Sequence, residues 1–200
     1  MSNLRPVTAE DTVGPYYPWG FVDPEETNLV KLRGLTVRPR GEPIRLSGTV
    51  REVGGKPLAP VLVEFWQANA DGRYRTAANT GDPDLDPLFD GISRQYCSDG
   101  RFDLTTIRPG SVPGEAGETP RAPHITVTIF SDGIWRVVTQ IFFEGEPLND
   151  GDVLLQSVPE ALRSRLIARR IADGDGVANY TLDIILRGDG ETPFFDDMQG

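Results

Sequence analysis

The sequence predicts an all-β fold, an antiparallel β-sandwich with an extended N-terminal arm and one short helix. Three observations carry this. The 200 residues include 22 Gly and 17 Pro distributed along the chain, which marks many turns. Between the turns stand short β-branched runs, and several of these alternate apolar and polar residues as a half-buried strand does. A chain of this length can bury a full core without dividing, so it reads as a single domain, with an arm over residues 1–40 and a sandwich core over 41–200.

The elements follow in order. The arm carries Pro, Gly and aromatics in place of any periodicity. Ile44–Val50 alternates and stops before Gly54-Gly55; Val61–Trp66 is nearly continuously apolar, as an interior strand is. Arg101–Ile107 ends at Pro109-Gly110. His124–Phe130 alternates, with Ile125, Val127 and Ile129 on one face and His124, Thr126, Thr128 and Phe130 on the other. Asp132-Gly133 predicts a tight hairpin turn into Trp135–Phe143, since both residue types tolerate the positive φ of a primed turn. Ser157 as N-cap, Pro159, Glu160 at the capping-box position and Leu162, Leu166 and Ile167 at helical spacing predict a helix over about 157–172. Ala178–Arg187 reads as the last strand.

Composition removes several function classes. With 20 basic against 30 acidic residues the formal charge is −10, and no Lys/Arg cluster offers a surface for phosphates, so nucleic acid is not an expected partner. One Cys and one His exclude a zinc finger, a His-rich metal site and a disulfide framework. No run approaches the ~20 apolar residues of a membrane span, so no membrane role is expected. The N-terminal residues carry early charges and no apolar stretch, which with the lone Cys gives a cytoplasmic expectation.

Few motifs carry chemistry by themselves. Asp82–Asp90 has carboxylates at calcium-loop spacing, but Pro87 and Ser93 stand where an EF-hand needs Gly and Glu, leaving an acidic surface loop. Cys97 has no neighbouring His and reads as a small buried residue. There is no Gly-x-Ser-x-Gly elbow, P-loop or Gly-x-Gly-x-x-Gly. His124, at the start of its strand, reads alone as a hydrogen-bonded structural histidine.

Six segments together resemble the intradiol ring-cleavage dioxygenases: Asp11–Tyr17, Leu46–Val50, Val63–Tyr74 with its Trp-Gln-Ala-Asn-x-x-Gly-x-Tyr string, Thr106–Gly110, Arg121–Ile125 and Gln140–Leu148. In that family ferric iron is held by two tyrosines and by a His-x-His pair on one strand. Hard phenolate donors suit the ferric state, and alternate strand positions share a face. Carried over by residue, the resemblance matches Tyr74 to the first tyrosine and His124 to the first histidine. Val112 stands at the second tyrosine and Thr126 at the second histidine, while Arg121 resembles an arginine that stabilises negative charge on the substrate. The site is therefore degenerate, and no metal is expected in this chain.

The family includes hetero-oligomers of an iron-binding β chain and a homologous α chain with a degenerate site, and the resemblance is to the α type. It implies Fe(3+) held by a partner β chain and O2-dependent cleavage of 3,4-dihydroxybenzoate between its hydroxyls to 3-carboxy-cis,cis-muconate, with no catalytic residue in this chain alone. It also implies that Thr12, Gly14, Pro15 and Tyr16 of the arm line the partner's entrance. Gly14 permits close backbone approach, Pro15 fixes the arm and Tyr16 offers an aromatic wall with a polar tip. Two alternatives stand beside this: a β-sandwich binding module without a catalytic role, and a self-sufficient metalloenzyme in which carboxylates join Tyr74 and His124.

Overall fold

The computed structural model describes residues 22–23, 27–30, 38–114, 119–131, 135–174 and 176–195. Thr12, Gly14, Pro15 and Tyr16, and the expected Asp132-Gly133 turn, lie outside the described residues.

Strands dominate: β1 Pro43–Arg51, β2 Val61–Gln67, β3 Ile92–Cys97, β4 Arg101–Ile107, β5 His124–Ser131, β6 Trp135–Phe143, β7 Ile167–Gly174, β8 Val177–Thr181 and β9 Ile184–Ile185. They run in the order β3-β2-β5-β6-β7-β8-β1-β4, with β9 beside β1. The β3-β2-β5-β6 half packs its inward residues against those of the β8-β1-β4 half. Val63, Phe65, Val127, Ile129, Ile141 and Phe143 from the first meet Ile44, Leu46, Phe102, Leu104 and Tyr180 from the second in one core. Phe65 reaches Phe102 at 5.4 Å between ring centroids, and Phe143 meets Tyr180 edge-on at 5.0 Å. The β-sandwich expectation therefore holds, built on period-2 burial.

Its description as antiparallel needs correction, because the pairing is mixed: β6 with β7, β1 with β8 and β1 with β9 run parallel. A parallel neighbour needs a crossover between the strands, and residues 147–166 supply it between β6 and β7.

That crossover also corrects the helix expected over 157–172. Helix α1, Val153–Ser157, starts at Asp152, whose carboxylate accepts from the Leu154 and Leu155 amides. Ser157 closes α1 instead of opening a helix, its hydroxyl donating back to the Leu154 carbonyl at 2.6 Å. Helix α2 covers only Glu160–Arg163, a 3-10 turn follows through Leu166, and Ile167 enters β7 opposite Phe142. Leu162 and Leu166 pack against Phe142 and Leu155 as a helical face should. From Ile167 onward sheet pairing overrides that periodicity, and Ile171, within the span expected to be helical, is 47% exposed.

The expected strand 178–187 divides into β8 and β9 because Asp183 turns between them to accept from the Thr49 amide and Arg51 Nε. Of the arm, the described residues Thr27–Val30 lie against the edge of β4. Asn28 bridges Thr105, and Val30 packs with Phe89 and Ile107.

Candidate functional site

The Trp-Gln-Ala-Asn-x-x-Gly-x-Tyr string acts first as a folding unit. Gln67, buried at the end of β2, receives the Thr106 hydroxyl at 2.8 Å and donates to the Ile107 carbonyl at 3.0 Å, tying β2 to β4. Asn69 then shapes the following turn: its side-chain oxygen accepts from the Asp71 and Arg73 amides, while its Nδ2 donates to the Asp84 carbonyl. Gly72, at φ +75°, permits contact with the next loop, since a Cβ there would lie 1.9 Å from the Ser111 carbonyl oxygen. Only glycine fits both the left-handed backbone and that approach. Tyr74 leaves this turn with its ring 4.4 Å from that of Trp66.

The turn delivers Tyr74 to His124, and the phenol oxygen lies 3.0 Å from Nε2. His124 Nδ1 is 2.6 Å from the Ala122 carbonyl oxygen, which can only accept, so the ring proton sits on Nδ1. Nε2 therefore carries the lone pair and the Tyr74 hydroxyl donates to it. Burial lowers the His124 pKa to about 4; the Ala122 bond and Asp152 work against this and the Arg121 charge adds to it. Burial pushes the Tyr74 phenol up to about 12, opposed by Arg121 and the nearby Thr126 hydroxyl. Both groups are neutral at pH 7.

Arg121 stands beside this pair and is fixed from two sides. Its Nε donates to Asp152 at 2.8 Å and its Nη2 to the Gln140 side-chain oxygen at 2.7 Å. Gln140 passes the network on, its Nε2 donating to the Thr126 hydroxyl at 3.3 Å. Asp152 is fully buried and also accepts from the Ala122 amide at 2.8 Å. Burial pushes its carboxyl upward, but the bonds from Arg121, Leu155 and Ala122 outweigh it and hold the pKa below the ordinary range. Val112 pairs its backbone with Arg121, accepting from the Arg121 amide at 2.8 Å.

The structure thus brings Tyr74, His124, Thr126, Arg121 and Val112 to one place, as their sequence positions imply. The sequence did not single out Asp152 or Gln140 as the groups that hold Arg121. Asp152 before the apolar Val153–Leu155 carries an N-cap signal, but its bond to Arg121 spans 31 residues and leaves no local trace.

The residues do not fit a ferric ion. Two side-chain donors are present and they are bonded to each other, the Val112 side chain has no donor atom, and the Thr126 hydroxyl is engaged by Gln140. The neighbouring carboxylate, Asp152, is committed to Arg121 and to three backbone amides. Among the described residues no group of three or more His, Cys, Asp or Glu is gathered to hold a metal. The acidic loop has its own partners: Asp82 and Asp84 pair with Arg73, Asp90 with Arg75, and the buried Asp86 accepts from the Arg40 and Leu88 amides. Cys97 is buried as expected, and burial with the Asp99 charge lifts its thiol pKa to about 12.

A family model described as Dioxygenase matches residues 13–188. The chain is 40% identical over 189 residues to the protocatechuate 3,4-dioxygenase beta chain of Burkholderia cepacia, covering 92% of this chain and 80% of that protein. It is 32% identical over 203 residues to the protocatechuate 3,4-dioxygenase alpha chain of Pseudomonas putida, covering 96% and 98%. Among solved structures, the dioxygenase domain of a dioxygenase carbohydrate-binding protein fusion from Streptomyces sp. SirexAA-E aligns with a TM-score of 0.60 at 30% identity, over 84% of this chain and 88% of that one.

Proposed function

Because the chain belongs to the intradiol dioxygenase family, we propose that it is the iron-free α subunit of a protocatechuate 3,4-dioxygenase. The observation that carries this reading is the donor set: a phenol and an imidazole hydrogen-bonded to each other, with Val112 and Thr126 completing the site. Whole-chain identity is higher to a relative named beta chain, at 40%, than to one named alpha chain, at 32%. Identity averages over the scaffold, whereas iron binding depends on four side chains, so the four positions outweigh the average.

In this reading Fe(3+) would be held by a homologous β chain and would supply the chemistry that activates the substrate toward O2. The complex opens 3,4-dihydroxybenzoate to 3-carboxy-cis,cis-muconate. This chain contributes Thr12, Gly14, Pro15 and Tyr16 to the mouth of the partner's site, with Tyr16 as an aromatic wall. Arg121 has no reaction partner here; its charge is absorbed by Asp152 and its geometry by Gln140.

The test is co-expression with an iron-bearing homologous chain. A stable complex is expected with about one iron per pair, turnover of 3,4-dihydroxybenzoate, and a Tyr16→Ala variant that retains iron but loses turnover. Two results overturn the reading: this chain, purified alone, carrying stoichiometric ferric iron, or the absence of any complex. An active complex indifferent to Tyr16→Ala removes the arm's role and favours a binding module.

A further inference from the structure

The sandwich is incompletely filled at the end away from the candidate site. The inward row of β5 runs Ile125, Val127, Ile129 and then Ser131, so its last core position carries a hydroxymethyl group where an aliphatic chain would fill the space. A cavity of about 240 Å3 lies there. Ile129, 1% exposed, and Ser131, 5% exposed, both line it, so it reaches into the core. Val137 from β6, and Leu58 and Leu186 from beside β1, add half-buried apolar walls on both sides. Two of these walls are fixed by the backbone: the Leu58 amide donates to the Val50 carbonyl and the Leu186 amide to the Arg51 carbonyl, each at 2.8 Å. Glu52 and Arg187, exposed and of opposite charge, stand at the cavity's edge. His124 begins β5 and Ser131 ends it, which at ~3.3 Å per residue puts the cavity about 23 Å from the candidate site.

Size, polarity and charge each limit the occupant. An apolar cavity of about 150 Å3 is enough to take up benzene, whereas drug-sized ligands need roughly 300 Å3 or more. One ring with a short substituent therefore fits. The aliphatic walls favour an apolar body, because seating it there removes its surface from water. The Ser131 hydroxyl, which can donate one hydrogen bond and accept two, offers that body a polar contact. Glu52 and Arg187 cancel in formal charge, so the edge selects neither an anion nor a cation. We propose that this cavity is a binding site for an uncharged monocyclic compound bearing one hydroxyl group, seated between the sheets with that hydroxyl at Ser131. The site is separate from Tyr74, His124 and Arg121, and the inference stands whether or not the subunit reading does.

The experiment titrates the full chain with p-cresol, toluene and p-toluate and follows amide and methyl resonances. The p-cresol shifts are expected to saturate and to centre on Leu58, Ile129, Ser131, Val137 and Leu186. Toluene, which lacks the hydroxyl, is expected to bind about fivefold more weakly, and Ser131→Ala to bring the two compounds within about twofold of each other. The p-toluate anion, which would have to leave water, is expected to bind at least about tenfold more weakly than p-cresol. Ser131→Leu, which fills the cavity, is expected to weaken p-cresol at least about tenfold. If that variant does not fold, Leu186→Trp, at a half-buried wall, decides in its place. The absence of saturable p-cresol shifts, shifts centred on Tyr74 and His124 instead, or binding that survives the filling variant overturns the proposal. Toluene binding as tightly as p-cresol, or p-toluate binding more tightly, overturns the assigned ligand class and with it the proposal.

Discussion

Lowering the pH from 7 to 5 is expected to destabilise this protein through a single side chain. His124 is the one histidine among 200 residues, hence the one side chain whose ordinary titration falls in this interval. Burial holds its folded pKa at about 4, against an ordinary 6.5. As the pH falls through 6.5 the unfolded chain takes up a proton that the folded chain refuses until about 4. The contribution is therefore neutral above 6.5 and becomes progressively destabilising between 6.5 and 4. Linkage with these two values gives a loss of about 2 kcal/mol at pH 5 and about 3 kcal/mol when complete. Asp152 does not intrude at pH 5. Its folded pKa is depressed, so its stabilisation is present above 3.8 and lost only below that value. The assay is urea unfolding of the parent and of His124→Gln at pH 7 and 5. Carboxylates titrate alike in both proteins and cancel in the difference, so the parent should lose about 1 M more in its midpoint than the variant. The imidazole resonance of the folded parent should titrate near pH 4. A midpoint at or above 6, or equal pH dependence in the two proteins, refutes the argument that this ring is buried and neutral.

Gly72→Ala should cost more than about 2 kcal/mol in urea unfolding, since φ is +75° and the new Cβ meets the Ser111 carbonyl, whereas Gly54→Ala, at φ +80° with open space around it, should cost about 1 kcal/mol. Equal losses at the two positions would remove the steric part of the account. Asp152→Ala leaves the Arg121 charge and three backbone amides without their partner and should cost about 3 kcal/mol, with faster hydrogen exchange at Ala122 and Leu155. Exchange at those amides unchanged from the parent would contradict this role. Cys97, 3% exposed with its thiol pKa at about 12, should not react with a disulfide reagent at pH 8 until urea unfolds the chain, and rapid native labelling would place it at the surface.

The sequence revealed the sandwich because its strands bury alternate residues in a way that composition records directly. Ile125, Val127 and Ile129 read as one face and are one face. It concealed β7 because Leu162, Leu166 and Ile167 satisfy helical spacing while the Phe142 backbone, distant in sequence, claims Ile167 for the sheet. The parallel pairings were hidden for the same reason, since strand direction depends on where the chain returns. At the site, the residues along the strand and its motif were legible, but Asp152 and Gln140 were not: what identifies them is a buried charge pairing across 31 residues and an amide reached from the neighbouring strand. The described residues do not extend to Thr12–Tyr16.

The Trp-Gln-Ala-Asn-x-x-Gly-x-Tyr string is mainly an instruction for folding. Gln67 crosses between the sheets, Asn69 closes the turn and Gly72 seats it on the neighbouring loop, and none of these steps requires a metal. The needs of the scaffold therefore account for the string, and with it for the place of Tyr74. His124 has a structural duty too: removing it would take one partner from the Tyr74 hydroxyl and lose the bond to the Ala122 carbonyl. The side chains of Val112 and Thr126 carry lighter duties. Val112 contributes a backbone pair that any side chain permits, and Thr126 sits half-buried with its hydroxyl toward Gln140. The side chains of Tyr74 and His124 thus serve the fold through their own hydrogen bonds, and those of Val112 and Thr126 constrain it less.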